Sequence, residues 1–299
     1  MNLRKKGFTL VELLVVIAVI ALLVGILMPA LNEVMKRAHV AETKATINAI
    51  SIGLETFRND FDKYPSSILE SGLQIADVPT NNYLDCGAHH LAEAMFGIDQ
   101  LGYSSSEIFA GAGYGWYQVN TVKGPCIPGA SGPIAIQRHG PYVNLSNIKI
   151  GTMTDVPVPE GYSLSAAEKK VWTDNPNPVI LDTINNRTPR PILYYKANTN
   201  GMRLSSYDRT DNLAIYYYED NDAVTTPFGM NQGGIYPNYD SSIGFKSFAN
   251  FLWDTKTGFN TIKNPAARPY NQDTFVLLSA GTDGEFGTED DITNFNRRD

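Results

Sequence analysis

An acidic, glycine-rich stretch between Asp283 and Asp291 carries the clearest metal-binding chemistry in the sequence. Its five carboxylates fall within nine residues. A flexible turn of this kind offers carboxylates and backbone carbonyls together, and Ca²⁺ takes about six to eight such oxygen ligands. The stretch is not an EF-hand, because the sixth position counted from Asp283 is Thr288 rather than Gly and the twelfth is Asn294 rather than Glu. An acidic turn in water is the alternative interpretation.

Glu12 is the second group with evident chemistry, because it is a carboxylate inside an apolar run. No other charge lies between Leu10 and Leu31. As a helix this run covers roughly 33 Å, which is enough to cross a bilayer core. The cations Arg4, Lys5 and Lys6 precede it and favour a topology with the N-terminus in the cytoplasm. A carboxylate in such a span costs about 2.5–3.5 kcal/mol by insertion scales, so we expect it to have a charged partner.

The sequence around Glu12 resembles a known processing motif. Gly7-Phe8-Thr9-Leu10-Val11-Glu12 and the apolar run after it are similar to the prepilin motif of type IV pilins and type II secretion pseudopilins. The resemblance implies that prepilin peptidase cleaves between Gly7 and Phe8 and that Phe8 is then N-methylated. It also implies that Glu12 pairs with the Phe8 amine of a neighbouring subunit. In a low-dielectric helix bundle, the Glu12 carboxylate and this amine can neutralise each other only when the two subunits are in one axial register. A simple membrane anchor with a stray Glu is the alternative.

The acidic stretch also resembles a feature of this family. Major pseudopilins have a calcium loop that follows the last strand and contains one Asp, a Gly-rich turn and two adjacent acids. The resemblance implies that Asp283, Asp290 and Asp291 are side-chain ligands of Ca²⁺, assisted by carbonyls near Ala280 and Thr282.

A long helix must position Glu12, and the helical pattern of the sequence continues beyond Leu31, where it becomes amphipathic. Its predicted apolar stripe should pack on the sheet of the head, and it consists of Ile47, Ile50, Leu54, Phe57 and Phe61. We expect the helix to end near Asp62–Pro65, because the residue before a proline avoids helical geometry. Pro29 cannot donate to the carbonyl of Gly25, so a kink or loosening is predicted around residues 25–29.

The predicted fold is α+β, with the long helix packed on an antiparallel sheet. We predict a leader at 1–7, a transmembrane and filament-core helix at 8–31, its amphipathic continuation at 32–65, a loop-rich insertion at 66–190 that decorates the head, and a β-sheet head at 191–299. The apolar and aromatic runs 191–196, 213–218 and 274–279 predict strands, and the last should be central. Short helices are predicted at 91–97 and 163–172.

Composition and cysteine content limit the classes of function. The net charge is −7, and removal of the three leader cations leaves 21 basic against 31 acidic residues. An acidic head argues against bulk nucleic-acid binding.

Cys86 and Cys126 could form a disulfide in an oxidising compartment, although two unrelated buried thiols are the alternative and the family gives no support for this spacing. Adjacent His89 and His90 diverge on either a helix or a strand, which favours a surface or capping role over a metal site. No nucleophile-elbow motif is present, and nothing in the sequence supports an enzyme.

These features predict a structural subunit that polymerises through its N-terminal helix. The leading hypothesis is a pseudopilus of a type II secretion-like system, and the alternative is a surface type IV pilin for adhesion, motility or DNA uptake. The acidic loop and the Tyr64-Pro65 helix exit favour the first, whereas the large head favours the second or a minor tip subunit. Expected partners are further copies of the chain, prepilin peptidase, an inner-membrane assembly platform, minor pilins and the membrane. The precursor should lie in the bacterial inner membrane, and the filament in the periplasm or at the surface. A membrane-anchored periplasmic enzyme or binding protein is a third class, for which Glu12 would have no purpose.

Overall fold

The structure is a computed structural model, and it describes residues 10–67, 86–97, 100–103, 138–173, 175–184, 188–206, 210–230, 247–257, 260–261, 264–265 and 267–296. Within these ranges the α-helices are α1 (Leu10–Phe61), α2 (Gly87–Phe96), α3 (Ala166–Trp172), α4 (Asp222–Thr225) and α5 (Phe248–Leu252). The strands are β1 (Lys149–Thr152), β2 (Pro178–Leu181), β3 (Leu193–Lys196), β4 (Arg203–Ser206), β5 (Ala214–Tyr217), β6 (Asn260–Thr261), β7 (Asn264–Pro265), β8 (Phe275–Ser279) and β9 (Ile292–Thr293). Short 3₁₀ turns lie at Leu145–Asn147, Met153–Asp155, Tyr218–Asp220, Thr226–Phe228 and Thr255–Thr257.

Helix α1 is the longest element, with 52 residues. It ends where the sequence predicts, because Asp62 adopts a left-handed conformation (φ 56°) shortly before Pro65. The residues around Gly25 and Pro29 are helical on both sides of the proline. The kink expected there stays a prediction.

The predicted apolar stripe of α1 is confirmed as its buried face. Ile47, Ile50, Leu54 and Phe57 are buried, and Phe61 is half-buried at the end of the stripe. The pattern missed buried positions on the same face that are polar or small, namely Thr43, Thr46 and Gly53. A β-carbon at Gly53 would lie only 3.0 Å from the carbonyl oxygen of Tyr142, so the absence of a side chain allows close packing here.

The predicted central strand is also confirmed. β8 lies between β3 and β9 in an antiparallel sheet, and all five of its residues are buried. Phe275 and Leu277 join the apolar cluster that contains the α1 stripe, whereas Val276 and Leu278 join a second cluster on the other face of the sheet. The strand is apolar without alternation because it has a core on both sides.

The segment 66–190 does more than decorate the head where the structure describes it. Helix α2 packs against α1, β2 and β3, and its Leu91, Met95 and Phe96 are fully buried between them. β1 and β2 form an antiparallel pair whose Ile180 lies in the same core. The expectation of a peripheral insertion is therefore wrong for these elements, because their apolar residues complete the packing of α1. The boundaries 66 and 190 stay a prediction.

Two further expectations about the head concern a short helix and the direction of strand pairing. The helix predicted at 163–172 is confirmed as α3, whose Ser165 side chain accepts from the Glu168 N–H at 3.2 Å. The antiparallel expectation fails at β4 and β5, which pair in parallel. The Asn198 side-chain amide donates to the carbonyls of Asn212 and Ala214, and so holds the start of β5 against the segment that precedes β4.

Candidate functional site

The acidic loop joins β8 to β9 at the edge of the central sheet. Gly281, Gly284 and Gly287 have positive φ angles of 61°, 74° and 82°, which residues with side chains rarely adopt. A β-carbon on Gly281 would also collide with the backbone of Asp290. The glycines between the acids are therefore the residues that allow the loop to fold back on itself.

The carboxylates of the loop accept hydrogen bonds from the loop itself. Asp290 Oδ2 accepts from the Thr282 hydroxyl at 2.6 Å and from the Asp283 N–H at 3.1 Å. Asp291 Oδ2 accepts from the Gly287 N–H at 2.7 Å. The Thr288 hydroxyl lies 2.7 Å from Asp290 Oδ1 and 3.3 Å from Asp291 Oδ1, so it links the two acids.

The electrostatics of Asp283 and Asp290 differ although the two acids are neighbours. Burial and then the charge of Asp290 raise the pKa of Asp283 above its ordinary value. Burial also acts to raise the pKa of Asp290, but hydrogen bonds from Thr282 and Thr288 outweigh it and hold that pKa below its ordinary value. Asp290 therefore carries the charge of the pair most firmly.

The types of donor atom in the loop favour a metal ion, whereas the arrangement of the side chains does not. Carboxylate, hydroxyl and carbonyl oxygens fit a hard cation such as Ca²⁺. Within the part of the chain that the structure describes, however, no group of three or more His, Cys, Asp or Glu side chains is placed to hold a metal ion. Asp283, Asp290 and Asp291 lie in one loop, and their predicted role as Ca²⁺ ligands stays a prediction.

Arg190 anchors the loop to the head. Its Nε donates to the Gly284 carbonyl at 2.9 Å, and its guanidinium carbon lies 3.9 Å from the centre of the Phe228 ring. Phe286 is fully buried beside Phe228, and its N–H donates to the Phe228 carbonyl at 3.2 Å. The sequence analysis did not single out Arg190 or Phe286, because each acts through a contact distant in the chain.

A buried acid lies behind the start of the loop. Asp182 is buried, and it accepts from the Ser279 hydroxyl at 2.9 Å and from the Arg190 N–H at 3.1 Å. Burial raises the pKa of Asp182 to about 6, although these hydrogen bonds and the charges of Arg190 and Lys149 act to lower it. Asp182 thus connects the end of β2 with the last residue of β8.

The N-terminal part of α1 contains the second candidate site. Its large apolar side chains are exposed, for example Leu10 at 78% and Ile26 at 69%. One helix among the described residues is long and apolar enough to cross a membrane, and it is α1. Glu12 lies in its first turn. Gly7 and Phe8, the predicted processing residues, lie outside the described residues.

The cysteine and histidine predictions meet at the start of α2. Cys86 precedes the first residue of the helix, and its N–H donates to His89 Nδ1 at 3.2 Å. The capping role predicted as one alternative for the adjacent histidines is therefore confirmed for His89. Cys126 lies outside the described residues, so a disulfide between Cys86 and Cys126 stays a prediction.

Comparison with known proteins gives matches to type IV pilins and to a type II secretion protein. The family model of the prokaryotic N-terminal methylation motif matches residues 2–28. The chain is 32% identical over 71 residues to a type IV major pilin of Myxococcus xanthus, covering 24% of this chain and 32% of the pilin. It is 31% identical over 80 residues to type II secretion system core protein G of Pseudomonas aeruginosa, covering 26% of this chain and 55% of that protein. It is 42% identical over 62 residues to the type IV wide pilus major component of Thermus thermophilus, covering 21% and 47%.

The matches cover only part of this chain and part of each relative. The chain spans between 32% and 55% of the lengths of these three relatives. No solved structure matches the chain. The long N-terminal helix and antiparallel sheets are consistent with an α+β, pilin-like fold, and the apolar helix together with the relatives fits a membrane-anchored precursor and a later filament. Over about a quarter of its length, therefore, the chain is homologous to type IV pilins and to core protein G of type II secretion systems, and it carries the prokaryotic N-terminal methylation motif.

Proposed function

We propose that this chain is a structural subunit that is cut by prepilin peptidase and polymerises through α1 into the pseudopilus of a type II secretion-like system. The observation that carries the proposal is the exposed apolar run from Leu10 to Leu31, with Glu12 as its single charge. One face of the same helix is buried in the head from Thr43 to Phe57. One end of α1 therefore holds the head, and the other end offers a surface that water disfavours.

The order of events follows from this division of the helix. The basic residues 4–6 keep the N-terminus in the cytoplasm, and the apolar run stores the precursor in the bacterial inner membrane with the head in the periplasm. Cleavage after Gly7 removes those cations and creates a charged amine at Phe8. Glu12 of a neighbouring copy then neutralises that amine, which fixes the axial register of the two helices.

A surface type IV pilin for adhesion, motility or DNA uptake is the alternative. The names of two of the relatives, a major pilin and a wide pilus component, support it. The match to core protein G and the acidic loop support the secretion hypothesis. An assembly platform and minor pilins are expected partners in either case.

The experiment expresses the full-length chain with a prepilin peptidase and an assembly platform, and examines sheared filaments by electron microscopy. Wild type should form filaments, whereas Glu12→Ala should leave a folded, membrane-inserted monomer and Glu12→Asp should assemble in part. A matched Glu160→Ala variant removes an exposed carboxylate of the head, outside the helix, and should form filaments as wild type does. Assembly of Glu12→Ala at the wild-type rate would disprove the charge-pairing step.

The acidic loop adds a second proposal, that Asp283, Asp290 and Asp291 bind Ca²⁺ as a structural ion. The Thr288 hydroxyl supports it by holding Asp290 and Asp291 side by side. Ca²⁺ would supply positive charge among these carboxylates and so stiffen the connection between β8 and β9. Its test is a thermal melt of the protein with and without Ca²⁺.

A further inference from the structure

Three side chains with metal-binding atoms meet in the head where helix α1 ends. Asp60 lies in the last turn of α1, and Tyr142 follows it 82 residues later in the chain. The Tyr142 hydroxyl donates to Asp60 Oδ2 at 2.6 Å. His139 Nδ1 lies 3.8 Å from the same carboxylate oxygen. We call these three residues the helix-exit cluster.

The distances within the helix-exit cluster are close to those between ligands of one metal ion. Imidazole nitrogen and carboxylate oxygen bind an ion such as Zn²⁺ at about 2.0–2.2 Å. Two donor atoms at that distance from one ion are about 3.0 Å apart at a right angle and about 3.4 Å apart at the tetrahedral angle. The two distances from Asp60 Oδ2, 2.6 Å and 3.8 Å, lie on either side of these values. Small rotations of the side chains therefore suffice to bring the three donors around one ion.

The backbone and the rings around the helix-exit cluster hold its members in place. His139 and Tyr103 exchange two backbone hydrogen bonds, at 2.7 and 2.8 Å, and the Tyr142 N–H donates to the Met95 carbonyl at 2.7 Å. The His139 ring packs against Phe61 with 4.8 Å between the ring centres. Ligands that are fixed before binding lose less conformational entropy when an ion binds.

Two other histidines also lie beside carboxylates, but their surroundings differ. His39 Nδ1 is 3.5 Å from Glu42, and His90 Nδ1 is 4.0 Å from Glu93. In each of these pairs the two residues are three positions apart on one helix. The helix-exit cluster instead joins donors from two segments that are distant in the chain, and it adds a phenol oxygen as a third donor. It is therefore the better candidate for a metal site.

The donor types and their exposure indicate the class of ion. The side chains of Asp60 and His139 are 42% and 25% exposed, so an ion can enter from water and keep water molecules as further ligands. Ca²⁺ and Mg²⁺ take oxygen ligands, whereas an imidazole suits Cu²⁺, Zn²⁺, Ni²⁺ and iron. Mixed nitrogen and oxygen donors are typical of Cu²⁺ and Ni²⁺ sites, and Cu²⁺ binds most tightly in this series of divalent ions.

From the donors, their distances and their fixed backbone we infer that the helix-exit cluster binds a transition-metal ion, with Cu²⁺ held most tightly. The ligand atoms are a carboxylate oxygen of Asp60, Nδ1 of His139 and the phenol oxygen of Tyr142. The bound ion ties the last turn of α1 to the segment 138–142 of the head. This site is separate from the acidic loop, and it does not depend on filament formation.

Binding of the ion is coupled to the release of a proton. Burial and then the hydrogen bond to Asp60 raise the pKa of Tyr142 above its ordinary value, so the hydroxyl keeps its proton when no ion is bound. The ion takes the place of that proton between the two oxygens, and the proton passes to the solvent. Affinity for the ion therefore falls as the pH is lowered.

Titration of the full-length protein in mild detergent with CuCl₂ tests the ligands. In electron paramagnetic resonance, wild type should bind one equivalent of Cu²⁺ with coupling to one imidazole nitrogen. His139→Gln should remove that coupling, and both His139→Gln and Asp60→Asn should weaken binding at least tenfold. His39→Gln is the matched control and should bind as wild type does, because it alters another histidine beside a carboxylate. Equal affinity in wild type and His139→Gln, or no saturable binding in wild type, would overturn the inference and leave the proposed function standing.

Tyr142→Phe tests the third ligand without removing a ring from the core. The substitution keeps the ring that packs against Phe57, with 5.5 Å between the ring centres, and removes only the oxygen. Cu²⁺-loaded wild type should show a visible charge-transfer band from phenolate to Cu²⁺, which Tyr142→Phe should lack. Tyr64→Phe is the control and should keep the band, because Tyr64 donates to a different carboxylate, that of Glu55, at 2.8 Å. A band of equal strength in Tyr142→Phe would overturn the assignment of the site.

Discussion

Arg190 Nε donates to the carbonyl oxygen of Gly284 at 2.9 Å, across 94 residues of chain. Gly284 has a φ of 74°, and a β-carbon there would lie 3.3 Å from an Arg190 nitrogen. The guanidinium also covers the Phe228 ring. The acidic loop is therefore held to the head by a cation that binds a backbone carbonyl, and not by its own carboxylates alone.

Arg190→Ala should loosen the acidic loop and lower the free energy of unfolding by about 1–3 kcal/mol, because a charge-assisted hydrogen bond and a cation–π contact are both lost. Urea unfolding of the full-length protein in mild detergent measures the change. Arg203→Ala is the control, because Arg203 forms an exposed ion pair with Asp211 at 3.1 Å and such pairs contribute about 0–1 kcal/mol. Equal effects of the two substitutions would contradict the anchoring role of Arg190.

Ile50→Ala and Ile52→Ala should distinguish the buried face of α1 from its exposed face. Ile50 is fully buried, so its truncation should cost about 2–5 kcal/mol of stability. Ile52 is 68% exposed, so its truncation should change stability by less than about 0.5 kcal/mol. Thermal or urea unfolding checks both variants. A large loss of stability in Ile52→Ala would contradict the exposed position of Ile52 in the subunit.

Asp182 should make the protein less stable as the pH rises. Its pKa is about 6 in the folded protein against an ordinary value of 3.8, so the folded state holds the proton more tightly than the unfolded state. This contribution is fully present below about pH 4 and is lost as the pH rises through about 6, with a total of up to about 3 kcal/mol.

Asp182→Asn should flatten that part of the stability profile, because Asn keeps the shape and carries no charge. The profile comes from unfolding curves at half-unit steps between pH 4 and pH 7.5. Asp273→Asn, at an exposed position, should leave the slope unchanged. An unaltered slope in Asp182→Asn would assign the pH dependence to other groups.

Calcium should raise the melting midpoint of the full-length protein in detergent. A ligand that binds only the folded state stabilises it by about 2.7 kcal/mol at a hundredfold excess over Kd, which corresponds to roughly 5–10 °C for a head of this size. Asp290→Asn should abolish the rise, and Glu160→Gln, an exposed acid outside the loop, should retain it. Mg²⁺ should substitute poorly because it demands octahedral geometry. Identical melts in EGTA and in Ca²⁺ would show that the loop is an acidic turn in water.

Periodicity predicted the elements whose burial follows a regular pattern. The buried stripe of α1 and the unbroken apolar strand β8 could be predicted directly, because local spacing determines which side chains share a face. The apolar pattern did not predict the burial of Thr43 and Gly53, because these residues are buried for their small size and not for their hydrophobicity.

The contacts that shape the candidate site join distant segments, and no local pattern encodes them. Arg190 and Gly284 are 94 residues apart, and Asp182 and Ser279 are 97 residues apart. The same limit explains why the sequence places α2 only within an insertion that decorates the head. Its apolar residues predict that it packs, but they do not identify α1 and β3 as its partners.

The N-terminus of the protein extracted from membranes tests the central claim most directly. Intact-mass and N-terminal peptide spectrometry should show the loss of residues 1–7 and the gain of one methyl group on Phe8, and co-expression with an inactive prepilin peptidase should leave the precursor uncut. An intact leader in the presence of active peptidase, or cleavage after residue 30, would contradict the assignment of this chain as a processed filament subunit.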